Sequence, residues 1–250
     1  MTSVGTACLQ LHGALNLIMK NKADREMYTA TTVGFLQNML MYHGRPGAYW
    51  DYVSNGCFKE VYTPGRTAPF VLKFVSKYNQ TAEEESLLSL AKDEGLAHFF
   101  VPTYFIPLPD EVIAQYLDDV MDYEDFMSSA EYSSYEHSET YQPHPMTLLQ
   151  VQPKVVPNTD FTILKQSAIR EQYFCDVNGE IVDPKTMERL VYYIYSEAWI
   201  HSLLETYCIA EIERFVDFLE NYCVSDLHGG NLGYLNGKPV ILDSMSRSLT

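Results

Sequence analysis

Basic residues are scarce in this chain: 17 lysines and arginines stand against 33 aspartates and glutamates, a net charge of −16 over 250 residues. A surface that negative repels nucleic acid and anionic lipid, so direct binding to either is not expected, while basic partners or simple solubility are favoured. Paired cysteines are lacking too. Cys8, Cys57, Cys175, Cys208 and Cys223 are scattered, odd in number and never spaced Cys-x-x-Cys. Neither a disulfide framework nor a structural zinc site is therefore expected, and reduced thiols fit a cytosol. No apolar run approaches the length of a membrane span, and no basic segment leads into one near Met1, so the expectation is a cytoplasmic protein without membrane association. Internal repeats are absent. What remains has globular proportions, 46% apolar and 20% charged, at a length that supports a sizeable core.

Apolar positions recur at helical spacing in residues 4–43, which predicts two helices broken near Asn21-Lys22-Ala23-Asp24. From Tyr49 the pattern turns strand-like: Tyr49–Val53, a turn at Ser54-Asn55-Gly56, Phe58–Tyr62, a turn at Pro64-Gly65, then Phe70–Val75. A helix is expected from about Ala82 to Gly95, where the glycine suits a C-cap, followed by strands at Val101–Pro107 and Leu148–Val155. Between those strands, residues 109–146 are acidic and rich in serine and tyrosine, which reads as an insertion with at most one short helix near 110–127. It is either a solvated spacer or a functional segment, a phosphorylation target or a contact for a basic partner. Residues 186–205 and 208–222 have the spacing of two amphipathic helices.

The second of those helices delivers the chain into Ser225-Asp226-Leu227-His228-Gly229-Gly230-Asn231, then Leu232–Leu235, Asn236-Gly237 and Ile241-Leu242-Asp243. Asn-Gly is the strongest short hairpin signal, because both residues tolerate the positive φ of a type I′ turn. The fold-back returns Asp243 towards Asp226 and Asn231. Two carboxylates and a carboxamide offer only oxygen donors, the kind that suits Mg²⁺ carrying substrate phosphates.

Upstream residues add to this. Gly56 and Phe58 lie in Asn55-Gly56-Cys57-Phe58-Lys59-Glu60-Val61-Tyr62, between the first two strands. Lys73 is a lone charge within the apolar strand Phe70-Val71-Leu72-Lys73-Phe74-Val75. An unpaired buried ammonium is costly, so such a lysine reaches an anion or snorkels to solvent. Glu84 shares a helical face with Leu87, Leu88 and Ala91, whereas Thr81-x-x-Glu84 also reads as a capping box; Glu85 is the second candidate on this helix. Gln152 falls in Gln150-Val151-Gln152-Pro153-Lys154, after the acidic insertion.

Taken in order, glycine turn, strand lysine, helix glutamate, Gln152 segment, Asp226 loop and Asp243 resemble the protein-kinase-like phosphotransferases over about residues 49–245. The chain is most similar to the early serine/threonine protein kinases of T7-like bacteriophages, in its N-terminal helical extension, Asn-Gly-x-Phe turn and Asp-x-His-x-Gly-Asn loop. The loop equally resembles that of the aminoglycoside and choline phosphotransferases, Asp-x-His-x-x-Asn. The resemblance implies an α+β, bilobal fold with an antiparallel-sheet N-lobe and a truncated helical C-lobe. Its divisions are a helical extension at 1–47, an N-lobe at 48–155 with the insertion at 109–146, and a C-lobe at 156–250.

It also implies ATP and Mg²⁺ as cofactors, and host intracellular proteins as substrates or targets in a bacterial cytoplasm. Gly56 and Phe58 cover the nucleotide phosphates, Lys73 holds them and Glu84 orients Lys73. Gln152 lies in the nucleotide hinge, and Asp226 positions the acceptor hydroxyl or takes its proton. Asn231 and Asp243 bind Mg²⁺, and His228 either stabilises charge on the transferring phosphoryl group or supports the loop. The departures carry weight. Only one of three glycines is present, Val224-Ser225 replaces His-Arg, and Asp243-Ser244-Met245 replaces Asp-Phe-Gly. The residues after Asp243 are too few to supply an activation segment, so activation-loop phosphorylation is not expected and the usual peptide platform is missing. A non-catalytic acidic inhibitor of a basic host protein is the alternative from another class.

Overall fold

A computed structural model of the chain describes residues 51–55, 59–63, 70–75, 78–107 and 148–246. The expected N-terminal helices, the turn carrying Gly56 and Phe58, the Pro64-Gly65 turn and the 109–146 insertion lie outside these residues. The architecture is α+β with antiparallel sheet, divided into two compact units. The first comprises 1–78 and 103–152, the second 79–102 and 153–250.

The first unit is built on a five-stranded sheet: β1 (Asp51–Asn55), β2 (Lys59–Thr63), β3 (Phe70–Val75), β4 (Tyr104–Pro107) and β5 (Leu148–Pro153), in the order β1-β2-β3-β5-β4. β1 pairs antiparallel with β2, with a register shift between Tyr52 and Ser54. β2 pairs antiparallel with β3, Val61 opposite Lys73 and Tyr62 opposite Leu72, and β4 with β5. β3 holds the centre, and its residues show why. Phe70 and Leu72 are fully buried on one face, and Lys73, which strand alternation places on the other, is buried as well. A strand covered on both faces accounts for the near-continuous apolar run around the lysine.

The second unit takes in helix α1 (Tyr78–Asp93) and a 3-10 turn (Ala97–Phe99). There follow β6 (Val156–Pro157), α2 (Gln166–Glu171), α3 (Pro184–Tyr193), β7 (Ile194–Tyr195), α4 (Glu197–Thr206) and α5 (Ile209–Asn221). The chain closes with β8 (Val224–Ser225), β9 (Leu227–His228), β10 (Leu232–Leu235), β11 (Lys238–Ile241) and β12 (Met245–Ser246). One core joins Leu87 and Ala91 of α1 to Phe99, Trp199, Leu203, Phe215, Phe218, Leu232 and Ile241. Phe99 and Phe215 stack with ring centres 4.2 Å apart. No helix among the described residues is long and apolar enough to cross a membrane.

Two expectations change here. α1 starts at Tyr78, three residues before Thr81, so Thr81 lies inside the helix and cannot form the capping box with Glu84. The single helix expected over 186–205 is two, α3 and α4, separated by β7. Local chemistry explains the break. Asp183 caps α3 by accepting from the backbone N–H of Lys185 (2.7 Å) and Thr186 (3.2 Å), and Pro184 sits at its first position. α3 ends at β-branched Ile194, which is extended, and Ser196 starts α4 by accepting from the Trp199 N–H at 3.3 Å. The α5 N-terminus is capped from a distance, since Asp176 accepts from the Ile209 N–H at 2.8 Å and from Asn178 and Glu180 at 2.9 Å each. Burial works against the Asp176 anion, and these backbone N–H groups outweigh it to hold the carboxyl below its usual range.

Candidate functional site

The site assembles in the second unit from the hairpin that the sequence announces. Asn236 (φ 53°) and Gly237 (φ 79°) make the tight turn between β10 and β11, with Leu235 opposite Lys238 and Leu232 opposite Ile241. The hairpin returns the chain to its starting loop twice. The Leu242 N–H donates to the Asn231 carbonyl at 2.8 Å, and β12 pairs antiparallel with β8, Met245 opposite Ser225. Asp243 is thus tied to the Asp226 loop from both sides and is half-buried.

Within the loop, Asp226 adopts φ 67°, a left-handed conformation uncommon for a residue other than glycine. Asn231 accounts for it. Its Nδ2 donates both to the Asp226 carbonyl (2.8 Å) and to Asp226 Oδ2 (2.9 Å). Two acceptors on one side of the carboxamide settle which atom is nitrogen, and they turn Oδ1 away from Asp226. The Gly230 N–H donates to His228 Nδ1 at 3.1 Å, and His228 Nε2 lies 3.5 Å from Asp226 Oδ1. The ring therefore lies between the Gly230 N–H and the Asp226 carboxylate, hydrogen-bonded to the first and within ion-pair distance of the second.

The loop rests on elements that sequence reading passed over. β7 pairs in parallel with β9, Ile194 opposite Leu227 and Tyr195 opposite His228. β10 pairs antiparallel with β6, and the Asn158 N–H donates to the Leu232 carbonyl at 3.0 Å. Asn158, buried, donates through Nδ2 to the Asp160 carbonyl (2.7 Å) and to Ser196 Oγ (3.0 Å). The Asp160 carboxylate accepts from the Ala198 N–H at 3.0 Å, which with contributions from Thr162 and Ser196 lowers its pKa. Gly229 fits beneath this segment only because it lacks a side chain. A Cβ there would fall 2.7 Å from the Asp160 carbonyl oxygen and 2.8 Å from the Phe161 ring. Trp199, fully buried, donates from Nε1 to the Gly233 carbonyl at 3.2 Å. The signals that could have marked this shell were the Asn158-x-Asp160 pair, with its local hydrogen-bonding habit, and Ser196 as a helix start.

The remaining expected residues fall as follows. Asp226, His228, Asn231 and Asp243 are brought together. Lys73 belongs to the first unit and Glu84 to the second, each buried there. On α1, Glu84 is buried and Glu85 exposed, which selects Glu84 as the inward residue. Gln152 turns its side chain to Thr103, donating from Nε2 to Oγ1 at 2.9 Å, so any hinge role falls on its backbone. Gly56 and Phe58 lie outside the described residues.

Among the described residues no group of three or more His, Cys, Asp or Glu is placed to hold a metal ion. The Asn231 and Asp243 pair is a different kind of donor set. An amide oxygen whose nitrogen is engaged by Asp226 and one carboxylate are donors of the kind that suits Mg²⁺, which keeps several waters and takes its other oxygens from substrate phosphates. The residues present fit that ion. The chain matches no protein-family model and no curated protein.

Proposed function

We propose that this chain is an ATP- and Mg²⁺-dependent phosphotransferase of bilobal, protein-kinase-like fold. In this reading, as the resemblance implies, residues 48–155 serve as N-lobe and 156–250 as C-lobe, and the acceptor is a protein serine or threonine hydroxyl. The observation that supports it most is the double hydrogen bond from Asn231 Nδ2 to Asp226, with Leu242 bound to the Asn231 carbonyl. This arrangement fixes a carboxylate, leaves an amide oxygen outward and brings Asp243 back to the same loop. A generic polar turn needs none of the three together.

Asp226 orients the acceptor hydroxyl and receives its proton, and His228, 3.5 Å from the second carboxylate oxygen, either stabilises charge on the transferring phosphoryl group or supports the loop. Asn231 and Asp243 would hold Mg²⁺, which when bound supplies charge neutralisation on the phosphates. Lys73 keeps the part that the resemblance assigns it, phosphate binding. Positioning and electrostatics supply most of the catalysis in phosphoryl transfer, and rigid attachment of these side chains is what the loop provides.

The test is ligand linkage. A nucleotide at a hundredfold excess over its dissociation constant stabilises the folded state by about 2.7 kcal/mol. For a chain of this size that raises Tm by roughly 5–10 °C. Mg-ATP should produce the rise, and Asp243→Ala should abolish it. Calorimetry that finds no shift with any divalent ion and ATP would remove the basis for the reading.

A further inference from the structure

We propose that Phe161, Ile163 and Tyr195 form the docking surface for the phosphate acceptor, a basic polypeptide segment with an apolar side chain near its hydroxyl; this rests on the phosphotransfer reading above. These three side chains are left 65%, 53% and 44% exposed. They are gathered by the backbone. The Thr162 carbonyl accepts from the Glu197 N–H at 2.7 Å, and the Asp160 carboxylate accepts from Ala198, so residues 160–163 run beside the start of α4. Phe161 borders Gly229, and Tyr195 is the strand partner of His228. The patch therefore flanks the loop that carries Asp226.

Its exposure belongs to fixed backbone. Asp160 and Thr162, on either side of Phe161, are both hydrogen-bonded to the start of α4, and Leu164, next to Ile163, is buried in the core. Rigidly held aromatic side chains are the groups that contribute most at interfaces, and clustered exposed apolar surface beside a site marks a partner.

Charge selects the partner. Asp160 precedes Phe161, Glu197 is bonded through its N–H to Thr162, and Asp226 lies 3.5 Å from His228, the strand partner of Tyr195; His201 faces Glu197 at 3.9 Å, and Lys165 follows the segment. Over the whole chain the balance is −16, so a cationic segment is drawn in. An aminoglycoside has the positive charge but no apolar surface to cover two aromatic rings. Choline is too small to cover three side chains. A peptide supplies both features.

The experiment uses the full chain and synthetic peptides, each with one central serine flanked by lysines and with either leucine or serine at every other position in turn. Binding is read by fluorescence anisotropy without nucleotide, and labelling with Mg-ATP. The expected result is that leucine at one position strengthens binding roughly tenfold or more over serine. In the Phe161→Ser/Tyr195→Ser variant that preference vanishes, while ATP-linked stabilisation is unchanged. No leucine preference, a preference that survives in the variant, or labelling of kanamycin or choline in place of peptides would overturn the proposal. Because the anisotropy measurement needs no nucleotide, peptide binding without ATP-linked stabilisation would fail the phosphotransfer reading alone. ATP-linked stabilisation without peptide binding would fail the docking surface alone.

Discussion

Asp226 and His228 leave about half of their side chains in water, at 45% and 49% exposure, whereas Asn158 and Ser196, which carry the same loop, are 5% and 0% exposed. Both sets are polar and both are hydrogen-bonded. In the exposed set water competes for every bond, so each contributes little to folding. In the buried set an unmade bond leaves a desolvated donor or acceptor, so each bond counts. The comparison teaches that this molecule separates display from support: the loop side chains proposed for phosphotransfer face water, and the bonds that hold their backbone lie underneath. Substitutions should divide along the same line.

Asp226→Asn carries the largest expected effect. Asparagine tolerates the positive φ at this position and keeps the shape of the side chain, but it cannot accept the hydroxyl proton or offer Asn231 an anionic oxygen. Phosphate transfer should fall on the order of a thousandfold, about 4 kcal/mol of barrier. Tm should stay within about 2 °C of the parent, as for a surface substitution. Labelling rate and calorimetry on the same preparation give both numbers. A collapse of Tm would show that the exposed loop is itself a pillar of the fold and would erase the contrast.

Gly229→Ala approaches the boundary from the buried side. The new methyl group would sit 2.7 Å from the Asp160 carbonyl oxygen and 2.8 Å from Phe161, so backbone must shift to admit it. Overpacking of this kind costs about 1–3 kcal/mol. Urea unfolding should report the loss as a lower midpoint at unchanged slope. Activity should fall as well, because the displaced segment is the one that fixes Asp226. An alanine variant of parental stability would mean that the Asp160 segment is free to move and supports nothing.

The exposed side of this comparison was legible in the sequence, and the buried side was not. Asp226, Asn231 and Asp243 are joined by local geometry, a hairpin whose Asn236-Gly237 turn has a single strong reading, so spacing alone was enough to bring them together. The central strand Phe70–Val75 and the order of three strands, a helix and two strands were readable for the same reason, since period and punctuation are local. Asn158 meets Leu232 and Asp160 meets Gly229 across about seventy residues, Asn158 meets Ser196 across 38, and no periodicity encodes such meetings. The break between α3 and α4 was hidden in another way. Ile194-Tyr195 continues a helical hydrophobic pattern, and only its strand pairing with Leu227-His228 reveals why the helix stops there. Thr81 shows the opposite error, a cap signal overridden because the helix begins before it.

The smallest effect expected is on acid stability, and it probes the supporting side alone. The Ala198 N–H, followed by Thr162 and Ser196, holds the Asp160 carboxyl below its usual range. With a folded pKa below the unfolded value of about 3.9, the unfolded chain binds more protons in the window between the two. The stabilisation is therefore complete above about pH 5, declines as pH falls through the unfolded value, and is gone below the folded one. Asp183, lowered chiefly by its bond from the Thr186 hydroxyl, and Asp176 shift in the same direction, so the parent protein should lose stability in acid in any case. Asp160→Asn keeps an acceptor for the α4 N-terminus but has nothing to titrate. Its Tm should fall less between pH 6 and pH 3 than the parent's, by about 2 °C, the size expected for one carboxylate at a helix start. If the Asp160 substitution leaves the acid curve of the parent untouched, then the bond from Ala198 contributes nothing to the support of α4 and the division drawn here fails on its buried side.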